Sequence, residues 1–226
     1  MRKPVLTILV LAAAALCAPA RAVLPTHDQP TRTVRLIRHG EYEHGVKTAD
    51  EGGLVALGRQ QARLVAARLD GDPIVFTSIQ SSTMTRARET AAIIAAHFPD
   101  LALQGFDDIR ECTPPTRRAD IMADLKPGEA EACEATLRGA WDRIMRPAAG
   151  PADENDIVVC HGNVIRWFVT RALEVDPAAW LGMSIANCSL TVIQVRADGS
   201  AKVISFADSG HVPYGMTTYP GVEAEQ

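Results

Sequence analysis

Aromatic side chains are scarce, at 5% of 226 residues, while alanine is frequent, a balance that favours helices over an all-β fold. Long hydrophobic runs are lacking as well. Val5 to Leu16 is an apolar stretch without a charge, too short to cross a bilayer comfortably. No C-x-x-C pair and no zinc-like spacing occurs among the five cysteines, which removes the common structural zinc modules. A basic excess is absent too. Lys and Arg number 23 against 27 Asp and Glu, a formal charge of -4, so the chain is a poor partner for nucleic acid and must concentrate its cations locally to bind an anion. There is no internal repeat and no low-complexity segment. What remains is a chain with 47% hydrophobic residues, enough for one sizeable core in one domain, with room for an inserted lid.

The first residues read as a leader. Arg2 and Lys3 precede the apolar stretch, and Ala20-Arg21-Ala22 fits a small-x-small cleavage pattern. The expectation is a signal peptide over residues 1–22, cleaved after Ala22, and a periplasmic or secreted protein with no membrane span after cleavage. An uncleaved anchor and a lipidated Cys17 are the alternatives. Cleavage would take three basic residues and no acid, leaving the mature chain more acidic. An exported chain meets an oxidising compartment, so a disulfide is possible. Cys112–Cys133 is the pair to test first, and Cys160 and Cys188, beside apolar runs, read as buried free thiols.

Hydrophobic periodicity gives strands over Thr33–Ile37, Ile74–Thr77 and Asp156–Cys160, with a further extended segment over Leu101–Leu103 and Phe106–Ile109. Helices read over Leu57–Leu69, Ser81–Ala96 with Ser82 as N-cap, Glu129–Met145 and Asn163–Leu173, with a helical turn over Pro177–Leu181. Ser189–Val195 and Ala201–Phe206 flank Ala197-Asp198-Gly199-Ser200 as a hairpin. Residues 23–32 read as a flexible lead and 214–226 as a flexible tail. Strands alternating with helices and ending in a hairpin predict an α/β three-layer sandwich: a mixed, mostly parallel sheet with helices on both faces, and a ligand crevice beyond the carboxyl ends of its strands.

Two strands end alike, one in Arg38-His39-Gly40 and the other in Cys160-His161-Gly162. If the strands are neighbours, both imidazoles meet in one crevice, and each glycine lets the backbone turn sharply beside a ligand. Arg86 falls near the start of a helix, where free N–H groups and a guanidinium both favour an anion. Glu111 ends another extended segment.

These residues resemble the histidine phosphatase superfamily, also called phosphoglycerate-mutase-like. Arg38-His39-Gly40 is similar to its hallmark, Ser81 to Ala91 to its second motif with Met84 in place of leucine, and His161 and Glu111 to its later histidine and acid. The likeness runs from about Thr33 to Pro213, giving a domain over 33–213. The segments Cys160–Trp180, Ala186–Val195 and Ala207–Pro213 look closest to the mitochondrial serine/threonine phosphatase branch. The resemblance implies a phosphomonoesterase without cofactor or metal. His39 would attack phosphorus and become a phosphohistidine, while Arg38, Arg86 and His161 stabilise charge on the moving phosphoryl group. Glu111 would protonate the leaving oxygen and then activate water. The substrate would be a phosphorylated small molecule or a phosphoprotein.

Other readings stand beside this one: a serine/threonine phosphoprotein phosphatase, a phosphoglycerate-type mutase, an inactive phosphoanion-binding protein, and a metal hydrolase built on His39, Glu43 and His44. Asn163 reads either as a helix N-cap or as a phosphate contact. Arg88, Arg117 and Arg118 read as solvated charges. His27, His97 and His211 read as non-catalytic, although a C-terminal loop could carry His211 back to the crevice.

Overall fold

The computed structural model describes residues 29–46, 48 and 52–219. The expected leader over 1–22 and most of the lead over 23–32 lie outside the described residues. Six strands form one sheet: β1 (Arg32–Arg38), β2 (Ser78–Ser82), β3 (Leu103–Phe106), β4 (Glu154–Cys160), β5 (Leu190–Val195) and β6 (Ala201–Asp208), in the order β3-β2-β4-β1-β5-β6. The first four strands in that order are mutually parallel, and β5 and β6 add an antiparallel hairpin.

The two faces are covered by different helices. Helices α1 (Ala56–Asp70) and α2 (Thr85–Ala95) pack their Ala62, Val65, Leu69, Ala91 and Ile94 against Ile37, Ile79, Ile157 and Val159 of the strands. On the other face α4 (Glu129–Ile144) and α5 (Gly162–Ala172) bury Leu137, Ile144, Val164 and Phe168 against Val34, Leu36, Val158 and Cys160. Alternation along β1 and β4 thus supplies both cores, as a sheet with two covered faces requires. A short α3 (Ala119–Ala123) lies in the connection between β3 and α4. The three-layer sandwich with a mixed sheet and a C-terminal hairpin is the architecture observed.

Several boundaries differ from expectation, with one consequence for the site. The second strand is Ser78–Ser82 rather than Ile74–Thr77, and the helix after it begins at Thr85 with Met84 as N-cap. Ser82 is therefore the last residue of a strand, not a helix cap. The Ile74–Thr77 run is apolar at three of its four positions, but it forms no strand of the sheet and its Val75 is exposed. The third strand is shorter than expected, and Asp107–Ile109 is a 3₁₀ turn. Residues 214–219, expected as the start of a flexible tail, form a 3₁₀ turn at Tyr214–Met216 and then pack back against α1: Gln61 Nε2 donates to the Met216 carbonyl at 2.7 Å and to Thr218 Oγ1 at 3.0 Å.

Cys112 and Cys133 form a disulfide, with Cα atoms 5.8 Å apart, while Cys160 and Cys188 are buried free thiols. At the start of β1, Arg32 is buried and paired with both Asp156 and Glu154 of β4.

Candidate active site

Strand register brings the two histidines together. Arg38 is paired with Cys160 across the parallel β1–β4 ladder, so His39 and His161 are each one residue beyond that pair. Their ring centroids lie 5.1 Å apart, and both side chains are buried. The neighbouring β2 ends on the same side, and its Ser82 Oγ lies 2.8 Å from His161 Nε2.

Three buried side chains, Gln61 of α1, Thr90 of α2 and Asn187 of the turn before β5, fix the turn that carries His39. Asn187 Nδ2 donates to the His39 carbonyl at 2.9 Å, the Gly40 N–H donates to Thr90 Oγ1 at 3.0 Å, and the Glu41 N–H donates to Gln61 Oε1 at 2.8 Å. The turn also presses on the start of α1. A Cβ at Gly40 would stand 2.6 Å from the Gly58 carbonyl oxygen, and one at Gly58 would stand 1.9 Å from that of Glu41. Glycine at both positions permits this approach.

Hydrogen bonds set the tautomer of His39. Nδ1 lies 2.8 Å from the Gly40 carbonyl oxygen, which can only accept, so the ring proton sits on Nδ1. Nε2 then keeps its lone pair and accepts from Arg86 Nε at 3.1 Å. Burial holds the imidazolium well below its usual range, and the nearby His161, Arg38 and Arg86 push it further down. His39 is thus a neutral base whose unprotonated nitrogen faces the arginines.

His161 is neutral for the same reasons: burial first, then Arg86, Arg38 and Arg110. Ser82 Oγ accepts the Met84 N–H at 3.3 Å, which leaves its hydroxyl proton to donate to His161 Nε2. The ring proton is then on Nδ1. That atom is buried without a hydrogen-bond partner, 3.4 Å from Glu111 Oε2. A buried donor without a partner is costly unless a ligand oxygen completes it.

Arg38 is buried and its Nη1 donates to the Ile185 carbonyl at 2.8 Å. Arg86 is buried in the first turn of α2, and its guanidinium carbon lies 4.6 Å from the ring centre of Tyr42. Glu111 Oε1 accepts the Asn163 N–H at 3.1 Å, at the start of α5. Burial raises the Glu111 carboxyl above its usual range, and outweighs the opposing pull of that N–H and of Arg38, Arg86 and Arg166. A carboxyl that holds its proton more tightly than usual suits a general acid.

Asn163 is not the N-cap of α5; His161 holds that position. Its Nδ2 donates to the Cys112 carbonyl at 2.9 Å and its Oδ1 accepts from Arg166 at 3.1 Å, so Asn163 stands behind Glu111. Arg88 is exposed, and Arg117 and Arg118 are exposed and paired with Asp176 and Asp120. His211 Nε2 lies 2.9 Å from the Cys188 carbonyl oxygen. His44 contacts Glu41 at 2.8 Å, and among the described residues the three donors that converge are His39, Glu111 and His161, within 4.8 Å, rather than His39, Glu43 and His44. Arg38 and Arg86 act on both histidines and on Glu111, an environment that favours an anion over a divalent cation.

Sequence reasoning did not find the roles of Ser82, Asn187, Thr90, Gln61 or Arg166. Two of them left a signal: Thr90 falls within the Ser81–Ala91 motif, and Arg166, four residues after Gly162, shares that residue's helix face.

This geometry agrees with comparisons to known proteins. The family model of the histidine phosphatase superfamily (branch 1) matches residues 34–208. The mitochondrial serine/threonine-protein phosphatase Pgam5 of Caenorhabditis elegans is 40% identical over 189 residues, covering 81% of this chain and 65% of that protein. The human mitochondrial phosphatase PGAM5 is 34% identical over 187 residues, covering 81% of this chain and 64% of its own length. This chain therefore spans just under two thirds of those relatives. The crystal structure of a Plasmodium falciparum phosphoglycerate mutase superposes with a TM-score of 0.59 at 27% identity, covering 82% of this chain and 96% of that one. The relatives' names place those proteins in mitochondria, which overturns the expectation of a periplasmic or secreted protein. Among the described residues no helix is long and apolar enough to cross a membrane. With a matching family model across most of its length and relatives above 30% identity, the chain belongs to the histidine phosphatase superfamily.

Proposed function

We propose that this chain is a phosphomonoesterase that works without a metal, through a phosphohistidine on His39. The observation that carries the reading is the unprotonated Nε2 of a neutral His39, ringed by Arg86, Arg38 and His161, with Glu111, whose carboxyl burial raises above its usual range, beside His161. Substrate phosphate displaces Arg86 Nε from that lone pair, and the guanidinium then donates to phosphoryl oxygens. Nε2 attacks phosphorus, the bond to the ester oxygen breaks, and Glu111 gives that oxygen its proton. Arg38, Arg86 and the Nδ1–H of His161 hold the charge of the transferring group, which is most of what phosphoryl transfer asks of a protein. Water then gives a proton to Glu111 and attacks phosphorus, freeing phosphate and His39. Asn163 supports Glu111 through its N–H.

Two phosphorylated substrate classes fit such a site. A phosphorylated small molecule is the first. A phosphoserine or phosphothreonine side chain is the second, favoured by the relatives' being named serine/threonine-protein phosphatases.

The test is hydrolysis of p-nitrophenyl phosphate by the chain with chelator present, beside His39→Ala, with acid-labile phosphate trapped on the protein during turnover. Chelator-resistant turnover, and a phosphoprotein absent from the variant, are expected. Equal turnover in both proteins, or loss of turnover in chelator, would overturn the reading.

A further inference from the structure

Four of the five reactive side chains sit on or directly after regular elements: Arg38 and His39 at the end of β1, Arg86 in α2, and His161 as the cap of α5. Glu111 does not. It lies in the irregular segment between the 3₁₀ turn at Asp107–Ile109 and α3, outside any sheet ladder. Its backbone N–H donates to a thioether, Met84 Sδ, at 3.4 Å, and a thioether is a weak acceptor. Pro114 and Pro115, just beyond, have no N–H to tie the segment down.

A covalent tether replaces those missing bonds. Cys112, adjacent to Glu111, is joined to Cys133, and Cys133 lies on the buried face of α4 with Ala130, Leu137 and Ile144. The Cys112 carbonyl also accepts from Asn163 Nδ2, on the same residue whose N–H holds the Glu111 carboxyl. The disulfide therefore anchors one side of a two-residue unit, Glu111-Cys112, and Asn163 holds the other.

We propose that the Cys112–Cys133 disulfide is a positioning device for Glu111, so that proton transfer in the site depends on the thiol–disulfide state of the chain. This rests on the role of Glu111 given under Proposed function. A dithiol reductant opens the device. Its thiolate attacks the sulfur of Cys112, the more exposed of the two, the S–S bond breaks, and Cys133 leaves as a thiolate that takes a proton. The second thiol of the reductant then displaces Cys112 and closes as a cyclic disulfide. Two electrons and two protons pass to the cysteines, and the dithiol is oxidised. The phosphate-holding groups, which stand on β1, α2 and α5, stay in place.

The experiment compares the oxidised chain with the chain reduced by dithiothreitol, and with Cys133→Ala. Thiols are counted by alkylation and mass, folding is followed by near-UV circular dichroism, and activity is measured on glycerol 2-phosphate. On reduction kcat is expected to fall about 10- to 100-fold, the loss typical of a displaced proton donor. Inhibition by orthovanadate, which reads the phosphate cradle, should change by less than about twofold. The alkaline limb of the kcat profile should move to lower pH as the carboxyl relaxes towards its usual range. Reoxidation should restore all three, and Cys133→Ala should match the reduced chain and ignore dithiothreitol. An oxidised chain as active after reduction as before overturns the proposal, as does reduction that weakens orthovanadate and substrate equally or unfolds the chain, because the bridge then serves the fold. An oxidised chain with no His39-dependent turnover overturns the phosphatase reading instead.

Discussion

Arg86 Nε points at the Nε2 lone pair of His39 across 3.1 Å, so a cation covers the nucleophile until substrate arrives. The contact needs a side-on N–H from a planar guanidinium whose face also packs over Tyr42. Lysine offers neither. Arg86→Lys is expected to lower kcat/KM by about 10²-fold, with most of the loss in kcat, because bidentate contact to the moving phosphoryl group disappears. Steady-state kinetics on p-nitrophenyl phosphate check this, and a loss confined to KM would contradict it.

Ser82 fixes the His161 tautomer through a 2.8 Å hydrogen bond. Ser82→Ala leaves the ring free to move its proton to Nε2 and so to withdraw the donor that faces the crevice. We expect kcat to fall about tenfold with little change in KM. Nitrogen-15 shifts of the imidazole, recorded beside the kinetics, should show the change of tautomer.

Folded stability should fall as pH falls from about neutral. His39 and His161 remain neutral in the folded chain well below the usual 6.5, whereas in the unfolded chain they take up protons near that value. Above 6.5 the two states bind protons alike at these rings and nothing is lost. Below it the unfolded state binds more, and each ring removes about 1.4 kcal/mol per pH unit until its folded form protonates. Urea denaturation between pH 7 and pH 5 measures the slope. His161→Gln should reduce it by about one proton.

Gly58→Ala should destabilise the chain by about 2 kcal/mol or more, because the new methyl group would meet the Glu41 carbonyl oxygen at 1.9 Å, and that backbone atom cannot rotate away. The displaced turn carries His39, so kcat should fall in the same variant. A Tm equal to that of the unchanged protein would refute the close approach.

Much of the architecture is legible in the sequence because β1 and β4 carry Leu36-Ile37 and Ile157–Cys160 close to their ends and are each followed by a histidine and a glycine. The meeting of His39 and His161 follows from those ends once the strands are neighbours. The second strand was harder to read. Ser78-Ile79-Gln80-Ser81-Ser82 carries one large apolar residue, and its pairing with β4 and β3 overrides its poor strand propensity. Ser82 was misread for the same reason: the residue type suits a helix cap, but its hydroxyl is used by His161. Asn187 and Gln61 left no trace, since a polar side chain that serves a backbone group far away in sequence has no local period, and Thr90 falls within the second motif without its role being legible there. Glu111 was legible through the family resemblance, whereas its support by Asn163 depends on contact between residues 52 positions apart.

The ion pairs at the far end of β1 have a consequence for the chemistry. Arg32 meets Asp156 and Glu154 six residues before Arg38 meets Cys160, a span of roughly 20 Å along the strand. Apolar side chains alone hold a parallel pair loosely against sliding by two residues, since such a slide keeps every side chain on its own face. It would, however, pull a buried guanidinium away from both its carboxylates, at a cost of several kcal/mol. Arg32 therefore works as an index pin. By stopping β1 from sliding along β4 at one edge of the molecule, it keeps the two imidazoles level with each other at the opposite edge.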